Sequence, residues 1–159
     1  MPTPAIFFDR DDTLIECNGI TPAGDLGDPA LVRLLPGALE AVRDLRNAGY
    51  AIVVFTNQGG VARGSHTIAD VSAVNDRLNE LLGGTVDAFR FCPWHPEGTV
   101  APWSREHHWR KPAPGMILDA AHSLGLDLER SWVIGDAERD CHAGREAGCR
   151  TILIGASLA

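Results

Sequence analysis

Five short apolar runs recur along the 159-residue chain, and they limit its possible folds more than any other feature. The runs are rich in β-branched and aromatic side chains and lack the regular polar alternation of a strand with one face in water. Strands that are apolar on both faces are typical of a parallel sheet that is covered on both sides. The five predicted strands are Ala5–Phe8, Ala51–Phe55, Ala88–Cys92, Trp132–Ile134 and Thr151–Ile154.

Segments with helical periodicity separate these strands. A helix that opens at Pro36-Gly37 is expected to end at Gly49, because proline favours the first turn of a helix and glycine the position after its end. Thr67 is a suitable cap for the next helix, which we expect to run to about Leu82. Two more helices are predicted, one after Pro114 and one over Arg139–Ala147. The alternation predicts an α/β fold, a Rossmann-like parallel sheet with helices on both faces.

Two stretches, Glu16–Leu35 and Pro93–Arg110, show no periodicity and are rich in Gly and Pro or in Pro, Trp and His. Loops of this length in a compact domain are usually functional. Neither stretch is long enough to form an inserted cap, so each is expected to act as a flap. With a length typical of one domain, the chain is predicted to form a single domain over residues 1–159 with no separate cap domain.

Charge and composition exclude several classes of partner. The formal net charge of -7 argues against a nucleic-acid binder, since a phosphate backbone is bound by a clustered basic surface. No run reaches the roughly 18 apolar residues of a membrane helix, and no export signal is recognisable. The four scattered cysteines are therefore expected to be reduced thiols. We expect a cytoplasmic monomer whose partner is a small molecule, with no nucleic-acid or membrane partner.

Polar residues follow three of the predicted strands. Asp9 and Asp11 follow the first strand, Thr56 and Asn57 the second, and Asp136 the fourth. The carboxyl ends of parallel strands meet at one edge of the sheet, where ligands bind. Crowded carboxylates are costly unless a cation or a proton neutralises them, and Mg²⁺ prefers carboxylate and phosphate oxygens as ligands. The pattern predicts a magnesium site that also takes a phosphorylated ligand.

These residue types suit phosphoryl transfer. One carboxylate of the Asp9 and Asp11 pair would attack phosphorus while the other serves as proton donor and acceptor. Thr56 would bind phosphate oxygens, and Lys111 would neutralise charge in the transition state. Each residue also has a plain structural interpretation: the acids as a solvated turn, Asp136 as a helix cap, and Lys111 as a surface ion pair.

Four motifs in chain order resemble those of the haloacid dehalogenase-like phosphatases. The motifs are Phe7–Leu14, Phe55–Gln58, Lys111-Pro112, and Ile134–Asp136 with Asp140. The resemblance implies that Asp9 is the nucleophile, which forms an aspartyl-phosphate intermediate, and that Asp11 is the general acid and base. It also implies a Mg²⁺ ion bound by Asp9, Asp136 and the backbone carbonyl of Asp11. Asp140 is expected to position Lys111 or metal-bound waters rather than to bind the metal directly.

Further motifs are similar to those of the heptose-1,7-bisphosphate 7-phosphatases, namely Thr56–Gly64, Cys92–Gly98 and Arg110–Met116. The histidinol-phosphate phosphatases share much of this pattern, but the long loop before Arg110 favours the heptose branch. The resemblance implies hydrolysis of a small sugar phosphate that is contacted by Thr56, Asn57, Arg110 and Lys111. The alternatives are a histidinol-phosphate phosphatase, a nucleotide or polynucleotide 3′-phosphatase, which the acidic balance disfavours, and a non-catalytic phosphometabolite-binding protein on the same fold.

The chain departs from this family at two places. Asp12 stands where relatives usually carry glycine, a replacement that we expect to be tolerated. Many relatives bind zinc on the long loop through a Cys-x-His and a Cys-x-Cys pair. The corresponding positions here are Cys92, Trp94, His107 and Trp109. A substitute set would consist of Cys92, His95, His107 and His108. A closed zinc site needs four ligands, so we expect no zinc and a loop held by the packing of its tryptophans.

Overall fold

The structure is a computed structural model that describes residues 1–22 and 24–155. Within these residues five strands form one sheet in the order β3-β2-β1-β4-β5, and every pairing is parallel. The strands are β1 Ala5–Phe8, β2 Ala51–Asn57, β3 Ala88–Cys92, β4 Trp132–Gly135 and β5 Arg150–Leu153. The predicted α/β fold with a Rossmann-like parallel sheet is confirmed.

The described residues contain five α-helices: α1 Ala38–Asn47, α2 Gly60–Arg63, α3 Ile68–Leu81, α4 Gly115–Leu124 and α5 Glu138–Glu146. Short 3-10 turns cover Pro29–Leu31 and Leu128–Arg130. Thr67 caps α3 as predicted: its hydroxyl accepts a hydrogen bond from the Asp70 amide at 3.2 Å, and the Asp70 carboxylate accepts one from the Thr67 amide at 2.8 Å. None of the helices described has both the length and the apolar character to cross a bilayer.

Helices cover both faces of the sheet. Successive strand residues point to opposite sides, so each strand contributes side chains to both cores. Ile6 and Phe8 of β1 pack into the core beneath α1 and α3, whereas Ala5 and Phe7 pack into the core beneath α4 and α5. All four side chains are buried, so β1 is apolar on both faces. This central position places the end of β1 in the middle of the carboxyl edge of the sheet.

The second strand continues two residues beyond its predicted end. Thr56 and Asn57 belong to β2, where they pair with Phe91 and Cys92 of β3, so the prediction that they follow the strand was wrong. The apolar pattern stops at Phe55, but backbone pairing does not depend on the polarity of the side chains. The ends of β4, β5, α3 and α5 differ by one residue from prediction, which is within the usual fraying of helix and strand ends.

Candidate active site

Asp9 is the first residue after β1, and its carboxylate is held from both sides. Lys111 Nζ donates a hydrogen bond to Asp9 Oδ1 at 2.8 Å, and the Thr13 hydroxyl donates one to Asp9 Oδ2 at 3.1 Å. The residue is only 6% exposed. Burial raises the pKa of Asp9 to about 6 although Lys111 opposes the rise, and the adjacent Asp136 adds to it. Asp9 is therefore an oriented carboxylate in a place that disfavours uncompensated negative charge.

Lys111 links two carboxylates at the carboxyl edge of the sheet. Its Nζ donates to Asp140 Oδ1 at 2.6 Å as well as to Asp9, and the residue is only 2% exposed. Burial alone would lower the pKa of Lys111, but the charges of Asp9 and Asp140 outweigh burial and raise it. Asn57 fixes the backbone here, since its side chain donates to Lys111 O at 3.1 Å and accepts from Lys111 N at 2.9 Å. Lys111 thus remains a positive charge in contact with Asp9.

Three carboxylates gather at this point, where the ends of β1 and β4 are adjacent. Asp9, Asp136 and Asp140 each offer one oxygen, and these oxygens all lie within 4.8 Å of one another. A single lysine cannot neutralise all three, and oxygen donors are those that Mg²⁺ prefers, so the residues fit this ion. Asp140 is already engaged through both oxygens, because Oδ1 accepts from Lys111 and Oδ2 from the Ala137 amide at 3.1 Å. Asp9 and Asp136 are therefore better placed to hold a cation than Asp140.

Asp11 lies two residues beyond Asp9 and is held by a buried arginine. Arg10 Nε lies 3.0 Å from Asp11 Oδ1, and Gln58 Nε2 donates to Asp11 Oδ2 at 3.2 Å. Arg10 is fully buried and also donates to Asn75 Oδ1 at 3.1 Å and to the Leu26 carbonyl at 2.8 Å. This arginine joins the first acidic motif to α3 and to the loop before α1, and it orients the Asp11 carboxylate.

The structural role of Arg10 was not predicted from the sequence. In the first motif Arg10 stands between two acids, which is also a common pattern for a solvated arginine. Its partners lie 16 and 65 residues away, so no local pattern reveals them.

Thr56 and Gln58 lie at the carboxyl end of β2 and connect it to the residues that follow β1. Thr56 is buried at the end of β2, and its hydroxyl accepts a hydrogen bond from Gln58 Nε2 at 2.9 Å. The same Gln58 amide also reaches Asp11, so a chain of polar contacts runs from β2 to the first motif. Gln58 Oε1 is buried and has no partner among the described residues. The amide group is thus fixed by its donors rather than by its oxygen.

Arg110 is half-buried beside Lys111, and its guanidinium makes no ion pair within residues 1–22 and 24–155. Its backbone is fixed, since Arg110 N donates to His107 O at 3.0 Å and its carbonyl accepts from Ala113 N at 2.9 Å. A guanidinium with a fixed backbone and free donors suits the recognition of an anion.

The substitute zinc ligands do not converge in the described part of the chain. Cys92 is buried and directs its thiol at the Trp94 carbonyl, 3.7 Å away, and burial raises the pKa of this thiol to about 11. His95 Nδ1 accepts from the Glu97 amide, whereas His107 stacks between other rings, with His108 at a ring distance of 4.3 Å. The residues present therefore do not fit a four-ligand zinc site.

Aromatic packing occupies the loop instead. The Trp94 ring stacks on His107 with centroids 3.7 Å apart and lies 5.5 Å from Trp103 and 6.5 Å from Trp109. The prediction that the tryptophans pack the long loop on itself is confirmed. Such contacts each add about 0.5–1.5 kcal/mol beyond the burial of apolar area.

Comparison with known proteins identifies the relatives of this chain. A family described as "HAD-hyrolase-like" matches residues 108–157. The D-glycero-beta-D-manno-heptose-1,7-bisphosphate 7-phosphatase of Rhodopseudomonas palustris is 42% identical over 151 residues, which cover 91% of this chain and 79% of that protein. The D-glycero-D-manno-heptose-1,7-bisphosphate 7-phosphatase of Thermosynechococcus vestitus is 42% identical over 162 residues, with 97% and 80% covered.

Solved structures give the same result. A HAD-like phosphatase from Mesorhizobium loti matches with a TM-score of 0.82 and 40% identity, over 93% of this chain and 70% of that one. The D,D-heptose 1,7-bisphosphate phosphatase of B. bronchiseptica, solved with magnesium and phosphate, matches with a TM-score of 0.77 and 32% identity, over 94% and 79%. The chain is therefore a member of the haloacid dehalogenase-like hydrolases. Within that superfamily it belongs to the heptose-bisphosphate phosphatase family, as its motifs implied.

Proposed function

We propose that this protein is a magnesium-dependent phosphatase that removes the 7-phosphate of a heptose 1,7-bisphosphate through a phosphoaspartate on Asp9. The observation that carries the proposal is the buried Asp9 carboxylate at the end of β1, held by Lys111 and adjacent to Asp136. The substrate is inferred from the names of the curated relatives. We further propose that residues 1–159 form one phosphatase domain without a separate cap.

In the first half of the reaction, an oxygen of Asp9 attacks phosphorus while the bond between phosphorus and the sugar oxygen breaks. Asp11 donates a proton to the departing sugar oxygen, so that the sugar leaves as an alcohol. Arg10 and Gln58 hold the Asp11 carboxyl in place for this transfer. Thr56 and Asn57 lie at the edge of the sheet, where they are proposed to contact the phosphate oxygens.

In the second half, a water molecule attacks the phosphorus of the phosphoaspartate. Asp11, now ionised, takes a proton from this water, and the bond between phosphorus and the Asp9 oxygen breaks. Inorganic phosphate leaves and the Asp9 carboxylate is restored. Lys111 contacts Asp9 throughout and is proposed to offset the charge that accumulates on the phosphoryl oxygens.

The proposed magnesium ion would be held by Asp9, Asp136 and the backbone carbonyl of Asp11. When bound, it supplies positive charge to the transferred phosphoryl group. Arg110 is proposed to contact the part of the substrate that is not transferred. This assignment accounts for its free guanidinium beside Lys111, whose own ammonium is engaged by Asp9 and Asp140.

Kinetic measurements on an Asp9→Asn variant test the proposal. Phosphate release from heptose 1,7-bisphosphate, histidinol phosphate, nucleotides and an aryl phosphate is measured with magnesium and with excess chelator. The wild type should prefer the heptose ester and stop in chelator. Asp9→Asn should keep the thermal transition of a folded protein but lose turnover on every ester by more than about a thousandfold, because an amide does not attack phosphorus.

Asp44→Asn is the matched control, since Asp44 is exposed on α1 and its side chain has no hydrogen bond or ion pair among the described residues. It should retain the activity of the wild type. Substantial turnover by Asp9→Asn would overturn the assignment of the nucleophile. A preference for histidinol phosphate would leave the chemistry intact but replace the proposed substrate, and no turnover of any ester would favour a binding protein.

A further inference from the structure

The fully buried guanidinium of Arg10 has a partner for each of its three nitrogens. Nε lies 3.0 Å from Asp11 Oδ1, Nη1 donates to Asn75 Oδ1 at 3.1 Å, and Nη2 donates to the Leu26 carbonyl at 2.8 Å. Asp11 is its one charged partner in the described part of the chain, whereas the other two partners are neutral. Because a guanidinium is planar and rigid, the two neutral partners fix the edge of Arg10 that faces Asp11.

The carboxyl group of Asp11 keeps one side open. The Asp11 side chain is 15% exposed, whereas the Arg10 side chain is fully buried. Each carboxyl oxygen has two acceptor positions, so Arg10 can hold one side of the group while the other side carries a proton. A shift of Arg10 would therefore move the acid relative to the atom that it protonates, and misplacement by about 1 Å can cost on the order of a hundredfold in rate.

The two neutral partners of Arg10 come from different parts of the chain. Asn75 lies on α3 and is 5% exposed. Leu26 lies in the aperiodic loop before α1, and its side chain is buried in the core beneath α1 and α3. The position of Arg10 therefore depends on whether this loop is held in place, since the carbonyl that it binds belongs to the loop.

Residues 25–27 of this loop, which we call the anchor segment, are fixed to α2 by Asp25. Asp25 Oδ2 accepts a hydrogen bond from the Gly60 amide at 2.8 Å and lies 3.6 Å from Arg63 Nη2. Gly60 and Arg63 are the first and last residues of α2. One carboxylate thus contacts both ends of this short helix, directly before the residue whose carbonyl binds Arg10.

The imidazole of His66 fills a space that two glycines leave free. A Cβ atom built on Gly27 would lie 2.7 Å from His66 Cγ, and one built on Gly60 would overlap His66 Cε1. His66 Nε2 is buried and has no hydrogen-bond partner among the described residues, so close packing holds the ring here. This fit joins the end of the anchor segment to the first residue of α2.

We propose that Asp25, Leu26 and Asn75 are positioning residues that act through Arg10 to aim the Asp11 carboxyl at the leaving oxygen of the substrate. The inference rests on the proposed function, in which the Asp11 O–H bond breaks as the sugar oxygen gains the proton and separates from phosphorus. Arg10 stays charged throughout this step. The anchor segment therefore favours esters whose leaving group needs a proton, the alkyl phosphates, over aryl phosphates.

The experiment compares heptose 1,7-bisphosphate with p-nitrophenyl phosphate, whose phenolate leaves without a proton. Enzyme in excess over substrate confines the measurement to the first half of the reaction. Asn75→Leu removes the oxygen that binds Arg10 at similar volume, and it should slow release of the heptose about tenfold but release of nitrophenol less than about twofold. Asp25→Ala, at a partly exposed site where the fold is less at risk, should give the same pattern.

A variant without the acid distinguishes positioning from general damage. Asp11→Asn has no proton to donate, so Asp25→Ala added to it should cause no further loss with the heptose ester. A loss that multiplies to the same extent in both backgrounds would show that Asp25 supports the fold of the site rather than the acid. This comparison uses the heptose ester alone.

Matched controls come from the same two elements. Asn79→Leu removes another amide oxygen of α3, one that accepts from the Val86 amide at 3.1 Å. Asp28→Ala removes another carboxylate of the same loop, one that accepts from the Ala30 amide at 2.9 Å. Neither residue contacts Arg10, and both variants should release heptose and nitrophenol at wild-type rates.

The two substrates also separate this inference from the proposed function. If the wild type hydrolyses the heptose ester but Asn75→Leu and Asp25→Ala slow both esters equally, or neither, the positioning role is wrong and the phosphatase assignment stands. If the wild type hydrolyses neither ester, the proposed function fails and the positioning role fails with it.

Discussion

Lys111 is the residue whose loss should affect both folding and catalysis. It is the ammonium partner of two buried carboxylates, Asp9 and Asp140. Lys111→Met should destabilise the protein by about 3–5 kcal/mol, because removal of one partner leaves buried charge uncompensated. The same variant should lose most turnover on every phosphate ester. Urea unfolding and steady-state kinetics measure the two effects.

A double variant separates these effects. Asp140→Asn removes one of the carboxylates that Lys111→Met leaves unpaired, so the pair of changes should recover part of the lost free energy of unfolding. It should recover no activity, because the ammonium that contacts Asp9 is still missing. Recovery of both would show that Lys111 supports the fold and does not act on the transferred phosphoryl group.

Asp12 shows how the chain accommodates an acid where its relatives usually have glycine. Its backbone lies in the left-handed region with φ of 61°, and its carboxylate accepts hydrogen bonds from the Cys17 amide at 2.9 Å and the Asn18 amide at 3.0 Å. Asp12→Gly loses these bonds but relieves the strain of a Cβ in the left-handed region, whereas Asp12→Ala loses the bonds and keeps that strain. The free energy of unfolding should fall in the order Asp, Gly, Ala, with about 1 kcal/mol between the last two. Equal stability of the Gly and Ala variants would contradict this account.

The secondary structure was largely predictable at the scale of the element, since apolar runs and caps are local signals. The bounds of β1 and β3 agree with the predicted Ala5–Phe8 and Ala88–Cys92. The four-residue helix α2 was missed because Gly60–Arg63 is little more than one helical turn, which is too short to show an amphipathic pattern. It is also the element that carries Arg63, so the approach of Arg63 to Gly59 could not be predicted from the sequence.

The candidate site was predictable where its residues come directly after strands. Parallel topology alone places Asp9 and Asp136 at one edge, and the structure brings their oxygens together. Contacts between distant loops were not predictable, because they depend on how those loops fold. Arg10 with the Leu26 carbonyl and His95 with Gly59 are of this kind.

The aromatic packing of the long loop, residues 93–110, can be tested by proteolysis and by metal analysis. Trp94 stacks on His107 and contacts two other tryptophans, so Trp94→Ala should make cleavage within residues 93–110 about tenfold faster in limited proteolysis. Cys92→Ser should leave cleavage near the wild-type rate, because a serine hydroxyl fits the space of the thiol. Elemental analysis of protein prepared without chelator should find far less than one zinc per chain. One zinc per chain, lost together with loop protection in Cys92→Ser, would contradict this account.

For the whole molecule, the buried carboxylates connect stability to pH and to magnesium. Unfolded Asp9 titrates near 3.8, whereas folded Asp9 titrates at about 6, so between these pH values the folded chain holds more protons than the unfolded chain. The free energy of unfolding of the metal-free protein should therefore fall as pH rises through this window, with a contribution from Asp9 on the order of 3 kcal/mol.

Magnesium should reverse that loss, because a cation binds the ionised form of Asp9 and stabilises the folded state by mass action. The increase in Tm caused by millimolar Mg²⁺ should thus be small at pH 5 and should grow as pH rises past about 6. Thermal unfolding with and without magnesium across this range measures the effect. In Asp9→Asn, which cannot ionise, the pH-dependent part of the increase should disappear, while Asp44→Asn should behave like the wild type. A magnesium effect in Asp9→Asn that grows with pH as in the wild type would place the ion at another set of carboxylates.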